Sequence, residues 1–143
     1  MLIKGEKKLT LCDVENERKG PHYTIDTVRI LKKRMPDIDE FWLVVGSDTL
    51  RNLHTWHKAE QLLREVKVCV AFRPGFDFGA LKELKKITSR ETFDEIIKNV
   101  VPLPALDISS TKIRQHIKDG LPVDNLTSRE VIEFIAAHKL YRD

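Results

Sequence analysis

Residues 41–72 read FWLVVGSDTLRNLHTWHKAEQLLREVKVCVAF, two apolar runs flanking a polar stretch in which leucines recur. FWLVVG (41–46) is almost continuously apolar, which suits a central strand buried on both faces, and VKVCVAF (66–72) reads as a second strand of the same kind. Between them the pattern predicts a helix from about Trp56 to Leu63. Strand, helix and strand in succession make a βαβ unit, so the class is α/β and the sheet is expected to be parallel. In such sheets ligands lie beyond the carboxyl ends of the strands. Gly46, Asp48 and the Arg73-Pro74-Gly75 turn fall there.

Working upstream, LTLCDV (Leu9 to Val14) reads as a strand followed by the charged loop ENERKGP. From Thr24 to Met35 the spacing predicts a helix capped by Thr24, with Val28, Leu31 and Met35 on one face and Pro36 as the stop. Downstream, a polar helical stretch from about Gly79 to Asn99 precedes a short strand, NVVPL, and two C-terminal helices. The last helix has capping-box spacing at Thr127-Ser128-Arg129-Glu130 and an apolar stripe of Val131, Phe134 and Ile135. No repeat, low-complexity tract or linker interrupts the chain. Its 143 residues, 41% hydrophobic, are enough for one domain with a real core and too few for two ordinary ones.

Charge narrows the partners. Twenty-five Lys and Arg against 22 Asp and Glu give a formal net charge of +3, with both signs spread along the chain. No basic block or aromatic-basic interleave marks a nucleic-acid surface, so no nucleic-acid partner is expected; the mild positive balance equally suits a phosphate-rich small molecule. Cys12 and Cys69 fit neither a CxxC nor a zinc spacing, and lie in β-branched runs that read as strands. They are expected to be reduced core thiols of a cytosolic protein. No apolar stretch is long enough to span a membrane, and MLIKGEKKLT lacks the apolar core of a signal peptide. The expectation is a cytoplasmic protein with no membrane partner.

The sharpest chemical signal is DISSTKIRQHI, residues 107–117. If Ser109 caps a helix, the following residues present free backbone N–H groups at the positive end of its dipole, and Ser110 and Thr111 add hydroxyls. Arg114, four residues after Ser110, can stand over the same face while Ile113 and Ile117 turn to the core. Spacing alone does not separate this phosphate site from an ordinary serine cap with solvated Lys112 and Arg114. GSDTLRNLHTWH (46–57) also leaves readings open: a metal pair at His54 and His57, a catalytic histidine site, or an aromatic platform at Trp56. A metal site needs further ligands, and no cysteine or carboxylate is placed to supply them, so no metal residue is assigned. Gly46 reads as a ligand contact or a strand-ending turn, Asp48 as a ligand contact or a helix cap, and Arg73 as a phosphate contact or a turn residue.

A resemblance adds context. ISSTKIR is similar to the ISSTxxR signature of the adenylyltransferases of the nucleotidyltransferase superfamily. YTIDT (23–27), GSD (46–48), LHTWHKAEQLL (53–63), RPG (73–75) and the ending EVIEFIAAHKLYR, in that order, resemble the bacterial nicotinate mononucleotide adenylyltransferase family over nearly the whole chain. The resemblance implies a Rossmann-like nucleotidyltransferase fold with a parallel sheet and C-terminal helices. It implies adenylyl transfer from ATP to nicotinate mononucleotide, giving deamido-NAD and pyrophosphate, with Mg²⁺ accompanying the ATP. In that family the helix start of the signature holds ATP phosphates, which maps onto Ser110, Thr111 and Arg114; the GxD contacts adenosine, which maps onto Gly46 and Asp48. The tryptophan of the TW pair stacks on the nicotinate ring, placing Trp56 there, a contact worth on the order of 0.5 to 1.5 kcal/mol beyond burial. Backbone N–H groups hold the nicotinate carboxylate at positions that map onto Thr24 and His57. Both residues are expected to open helices, which independently favours an anion, and the acid over the neutral amide.

One departure limits what the resemblance implies. The family begins with GTFDPxHxGH, whose two histidines contact ATP phosphates at the transition state, and nothing like it occurs in these 143 residues. HTWH is no substitute, because tryptophan stands where glycine is needed for close phosphate approach and the motif follows the GSD strand. No catalytic residue is therefore assigned. The expectation is a single nucleotidyltransferase-like domain, residues 1–143, lacking the family's N-terminal strands and leaving a strand with an open edge. A catalytically impaired nucleotide-binding remnant is the alternative to an active enzyme.

Overall fold

The computed structural model describes residues 3, 5–72, 81–104 and 106–142. Strands β1 (Trp42–Gly46), β2 (Lys67–Phe72) and β3 (Val100–Pro102) form a sheet in the order β1-β2-β3. Both pairings are parallel, with Trp42 opposite Lys67, Gly46 opposite Ala71, and Val70 opposite Val100. The parallel α/β expectation therefore holds, but β2, not β1, is the central strand. One face carries Val45, Val68 and Val70, all buried; on the other, Val44 is 66% exposed and Trp42 46%. The expected burial of 41–46 on both faces is thus corrected to one. Trp42 is partly shielded by Lys67, whose Nζ lies 5.4 Å from its ring centroid and pairs with Glu40 at 2.5 Å and Glu95 at 3.3 Å.

The covered face explains where the helices go. Helix α1 (Thr24–Arg34) contributes Ile25 and Val28, α2 (Ser47–Asn52) Leu50, a 3-10 turn (Leu53–Thr55) Leu53, and α3 (Ala59–Glu65) Leu62 and Leu63. Helices α4 (Lys82–Ile87) and α5 (Arg90–Lys98) add Leu84 and Ile96 to the same cluster. In α1, Asp26 in the first turn and Lys32, Lys33 and Arg34 in the last complement the helix dipole. Its cap position is Tyr23 and not Thr24, which is the first helical residue; Met35 is exposed and off the core face. Pro36 follows two residues after the last helical one, as expected.

Several boundaries differ from the sequence reading. The helix expected from about Trp56 to Leu63 is α3, which begins three residues later, at Ala59; α2 and the 3-10 turn before it were not anticipated, and a bend at Trp56-His57-Lys58 separates them from α3. Leu50 and Leu53 before the bend and Leu62 and Leu63 after it all face the core, so the chain turns a corner to bury both pairs. The polar helical stretch breaks at Thr88-Ser89, where Ser89 Oγ accepts from Thr92 N–H at 3.2 Å and starts α5. Residues 9–14 form no strand: no strand of the described sheet pairs with them, and Leu9 and Leu11 are exposed. Cys12 there is exposed too, against the expected core thiol, while Cys69 is half-buried in β2; both are free. The segment after Cys12 is tied to α1, with Val14 buried, Thr27 donating to Glu15 at 2.7 Å, and Arg34 paired with Glu17. The Arg73-Pro74-Gly75 turn lies outside the described residues.

The chain divides into two compact units, Asp13–Ala105 and a second made of Met1–Cys12 with Leu106–Asp143. The second holds α6 (Ser110–Lys118) and α7 (Arg129–Ala137), the two expected C-terminal helices. Helix α7 starts one residue later than the capping box implies: Ser128 is the cap, and Glu130 sits in the first turn. There Glu130 accepts from its own backbone N–H and from Ser128, which holds its carboxyl below the usual range. Ile135 is buried, but Phe134 is 57% exposed and stacks on His138, so it is not part of the apolar stripe. Ile132 takes its place beside Ile135, lining with Ile117, Leu121 and Val123 an apolar groove of about 440 Å³. Among the described residues no helix is long and apolar enough to cross a membrane.

Leu62 is fully buried under β2, so Leu62→Ala should cost about 2–5 kcal/mol of unfolding free energy in a urea titration. Val44→Ala on the exposed face should stay within about 0.5 kcal/mol of the parent.

Candidate functional site

At the carboxyl end of β1 the chain passes directly into α2, with Gly46 in the cap position. Its backbone is extended (φ −73°, ψ 156°), a conformation open to any residue, so glycine is not required there for its flexibility. What a Cβ there would meet is Asp48 Oδ1, the far end of an exposed side chain that would have to turn aside. The Asp48 carboxylate folds back over the Gly46 Cα, which gives the Gly-x-Asp spacing a steric reason. Asp48 is exposed and lies inside the first turn of α2, so the cap alternative for it does not hold. It is a solvent-facing acceptor at the carboxyl end of a parallel strand, able to receive hydrogen bonds from hydroxyl groups.

A second group forms where α1 begins. Thr24 is the first residue of α1, so its N–H has no partner within the helix. The Tyr23 ring just before it stacks on the His57 imidazole, centroids 4.0 Å apart and planes at 22°. Further along, Arg29 Nε and Nη2 donate to Glu65 Oε1 at 2.9 and 2.7 Å, and Nη2 donates to Gln61 Oε1 at 3.0 Å. Contacts start-to-start and middle-to-end make α1 and α3 run side by side in the same direction. The beginning of α1 therefore meets the bend Trp56-His57-Lys58. Trp56 is half-buried and packs against the core cluster, so its ring is fixed by apolar neighbours.

His57 itself corrects an expectation. It does not open a helix: α3 begins at Ala59, after Lys58, whose backbone is left-handed at φ 52°. The imidazole of His54 turns away to its own chain, with Nδ1 3.1 Å from Arg51 O. Among the described residues no three of His, Cys, Asp and Glu gather as metal ligands. Tyr23 is the residue the sequence analysis missed. YTIDT drew attention to Thr24, and nothing in the local pattern announces that the preceding ring reaches His57.

In the other unit, α6 has the predicted start. Ser109 is the cap, its Oγ accepting from Lys112 N–H at 3.1 Å. Ser110 and Thr111 follow as exposed residues of the first turn. Lys112 Nζ is 2.6 Å from Asp107 Oδ2, a bond that holds the Asp107 carboxyl below its usual range and spends the lysine charge locally. Arg114 reaches back to Thr111 Oγ1 at only 3.5 Å, leaving the guanidinium donors turned toward the exposed first turn. Ile113 and Ile117 of the same helix are half-buried. Two hydroxyls, a guanidinium and the amino end of a nine-residue helix are donors of the kind an anion can take.

Thr24, Gly46, Asp48, Trp56 and His57 lie in one unit, and Ser110, Thr111 and Arg114 in the other. The model of the cytidylyltransferase-like family matches residues 6–116. A probable nicotinate-nucleotide adenylyltransferase of Bacillus pumilus is 39% identical over 128 residues, covering 90% of this chain and 60% of that protein. One from Herpetosiphon aurantiacus is 36% identical over 143 residues, covering 99% and 69%. Across these two, the chain spans between 60% and 69% of its relatives' length. Among solved structures, nicotinic acid mononucleotide adenylyltransferase of Plasmodium falciparum superposes with a TM-score of 0.62 at 21% identity, covering 86% of this chain and 60% of that one, which shows the shared fold. With a family model over most of its length and relatives this similar nearly end to end, the chain belongs to the nicotinate-nucleotide adenylyltransferase family.

Proposed function

We propose that this chain binds nicotinate mononucleotide and ATP and joins them to give deamido-NAD and pyrophosphate, a cytoplasmic step of pyridine nucleotide biosynthesis. The observation that carries the reading is the meeting of the α1 start with the Trp56-His57 bend. There Trp56 offers a flat apolar ring to the pyridine, and the backbone N–H groups of Thr24 and His57 offer donors to its carboxylate. Gly46 and Asp48 receive the adenosine, with the Asp48 carboxylate accepting from ribose hydroxyls. Ser110, Thr111, Arg114 and the α6 amino end take the phosphates.

In the reaction a phosphate oxygen of the mononucleotide attacks the α-phosphorus of ATP. The bond from that phosphorus to the bridging oxygen breaks, and pyrophosphate leaves with the electron pair. The protein's part is to hold the two nucleotides in line and to neutralise the departing charge. Arg114 and the α6 dipole suit the second task. The donors in these positions are hydroxyls, N–H groups and a guanidinium, with Asp48 the one carboxylate among the assigned residues, so they fit anions and not a protein metal cage. Mg²⁺ would accordingly arrive with ATP rather than in a protein cage, and would supply charge neutralisation at its phosphates beside Arg114.

The alternative reading is binding of both nucleotides without turnover. Incubating the chain with ATP, Mg²⁺ and nicotinate mononucleotide and following pyrophosphate release separates the two. Release selective for the acid over the amide mononucleotide is expected; ligand-induced thermal stabilisation with no release would establish the binding-only reading. Trp56→Ala should raise the dissociation constant of nicotinate mononucleotide by about 2- to 12-fold, the worth of one aromatic stack, and leave that of ATP nearly unchanged in calorimetry. Gly46→Ala should do the reverse by displacing the Asp48 carboxylate, weakening ATP several-fold and sparing the mononucleotide.

A further inference from the structure

We propose that Tyr23 is a positioning residue for the mononucleotide, acting through His57; the inference rests on the assignment of Thr24, Trp56 and His57 made above. Beyond the shared apolar core and a Lys32–Glu65 pair at 3.9 Å, two side-chain contacts join α1 to the chain that runs from Trp56 into α3. Arg29 clamps Glu65 and Gln61 along the helices, and the Tyr23–His57 stack fixes their beginnings. Only the second bears on the donors themselves, because Tyr23 precedes Thr24 and His57 follows Trp56 directly.

The bend needs such a fixture. Lys58, next to His57, holds a left-handed backbone at φ 52°, a conformation that a non-glycine residue keeps only where its surroundings impose it. His57 is exposed, so core packing does not hold its side chain. Tyr23 makes no side-chain capping bond to α1, and its ring is spent on the imidazole instead. Releasing the stack would let the bend drift from the α1 start, and the two N–H groups would lose a common spacing. A near-parallel ring contact requires no hydroxyl, so phenylalanine should serve as well as tyrosine.

The test compares the parent chain with Tyr23→Ala, Tyr23→Phe and Trp56→Ala. Calorimetry gives dissociation constants for nicotinate mononucleotide, nicotinamide mononucleotide and Mg-ATP, and NMR follows the His57 ring resonances in the free proteins. Tyr23→Ala should shift those resonances, raise the nicotinate mononucleotide dissociation constant by about 2- to 12-fold, narrow the preference for acid over amide, and leave ATP within about 2-fold. Tyr23→Phe should match the parent in every measurement. Unmoved His57 resonances in Tyr23→Ala, equal losses for both nucleotides, or a Phe variant as impaired as the Ala variant would each overturn the proposal. If Trp56→Ala loses the mononucleotide and Tyr23→Ala does not, the positioning role falls and the assignment of the site stands. Failure of the parent chain to bind nicotinate mononucleotide would defeat the assignment, and the positioning role with it.

Discussion

The packing of Val68 and Val70 under the leucines of α3 is the constraint from which the rest of the Asp13–Ala105 unit follows. β2 has a hydrogen-bonded neighbour on each side, and these two valines, 2% and 1% exposed, form the middle of the covered face. Leu53 and Leu62, both fully buried, must reach that face from opposite sides of a bend. Meeting both demands turns the chain at Trp56-His57-Lys58. The same bend puts Trp56 partly into the core and brings His57 out to the start of α1. A hydrophobic requirement thus creates the geometry in which a polar site becomes available.

Much of this was legible because it is local. The three strands β1, β2 and β3, helix α1 and the Ser109 cap of α6 follow from apolar runs, a proline stop and a serine three residues before the amide it accepts from. What was not legible depends on neighbours. LTLCDV has the composition of a strand, but a strand exists only with a partner for its ladder, and no described strand lies beside residues 9–14. FWLVVG looks buried on both faces, yet its side-chain alternation leaves Val44 and Trp42 uncovered, because the packed helices all meet the other face. Phe134 has the spacing of a core residue and goes instead to His138, one turn along its own helix. In each case composition set a preference and the neighbouring elements decided whether it could be met.

The site divides along the same line. Gly46 and Asp48 are two residues apart, and their steric relation is contained in the motif: the carboxylate occupies the volume a Cβ would fill. Ser109, Ser110, Thr111 and Arg114 are likewise one turn of one helix. Tyr23 and His57 are remote in sequence, and only the parallel run of α1 beside α3 brings them together. A motif read by itself names Thr24 and passes over the ring that precedes it.

Under the proposed reading, discrimination between acid and amide then has a simple origin. Backbone N–H groups donate and never accept, so a carboxylate matches two of them while the amide must turn its own NH₂ toward at least one. A donor facing a donor forfeits a hydrogen bond and leaves a polar group desolvated, at a cost of about 1–3 kcal/mol. That cost applies only while both N–H groups are held at one spacing. A loose bend would let one of them swing aside and admit either mononucleotide. Specificity of this kind belongs to the rigidity of the bend more than to any side chain that touches the ligand, which is why a contact between two rings outside the assigned donor set bears on it.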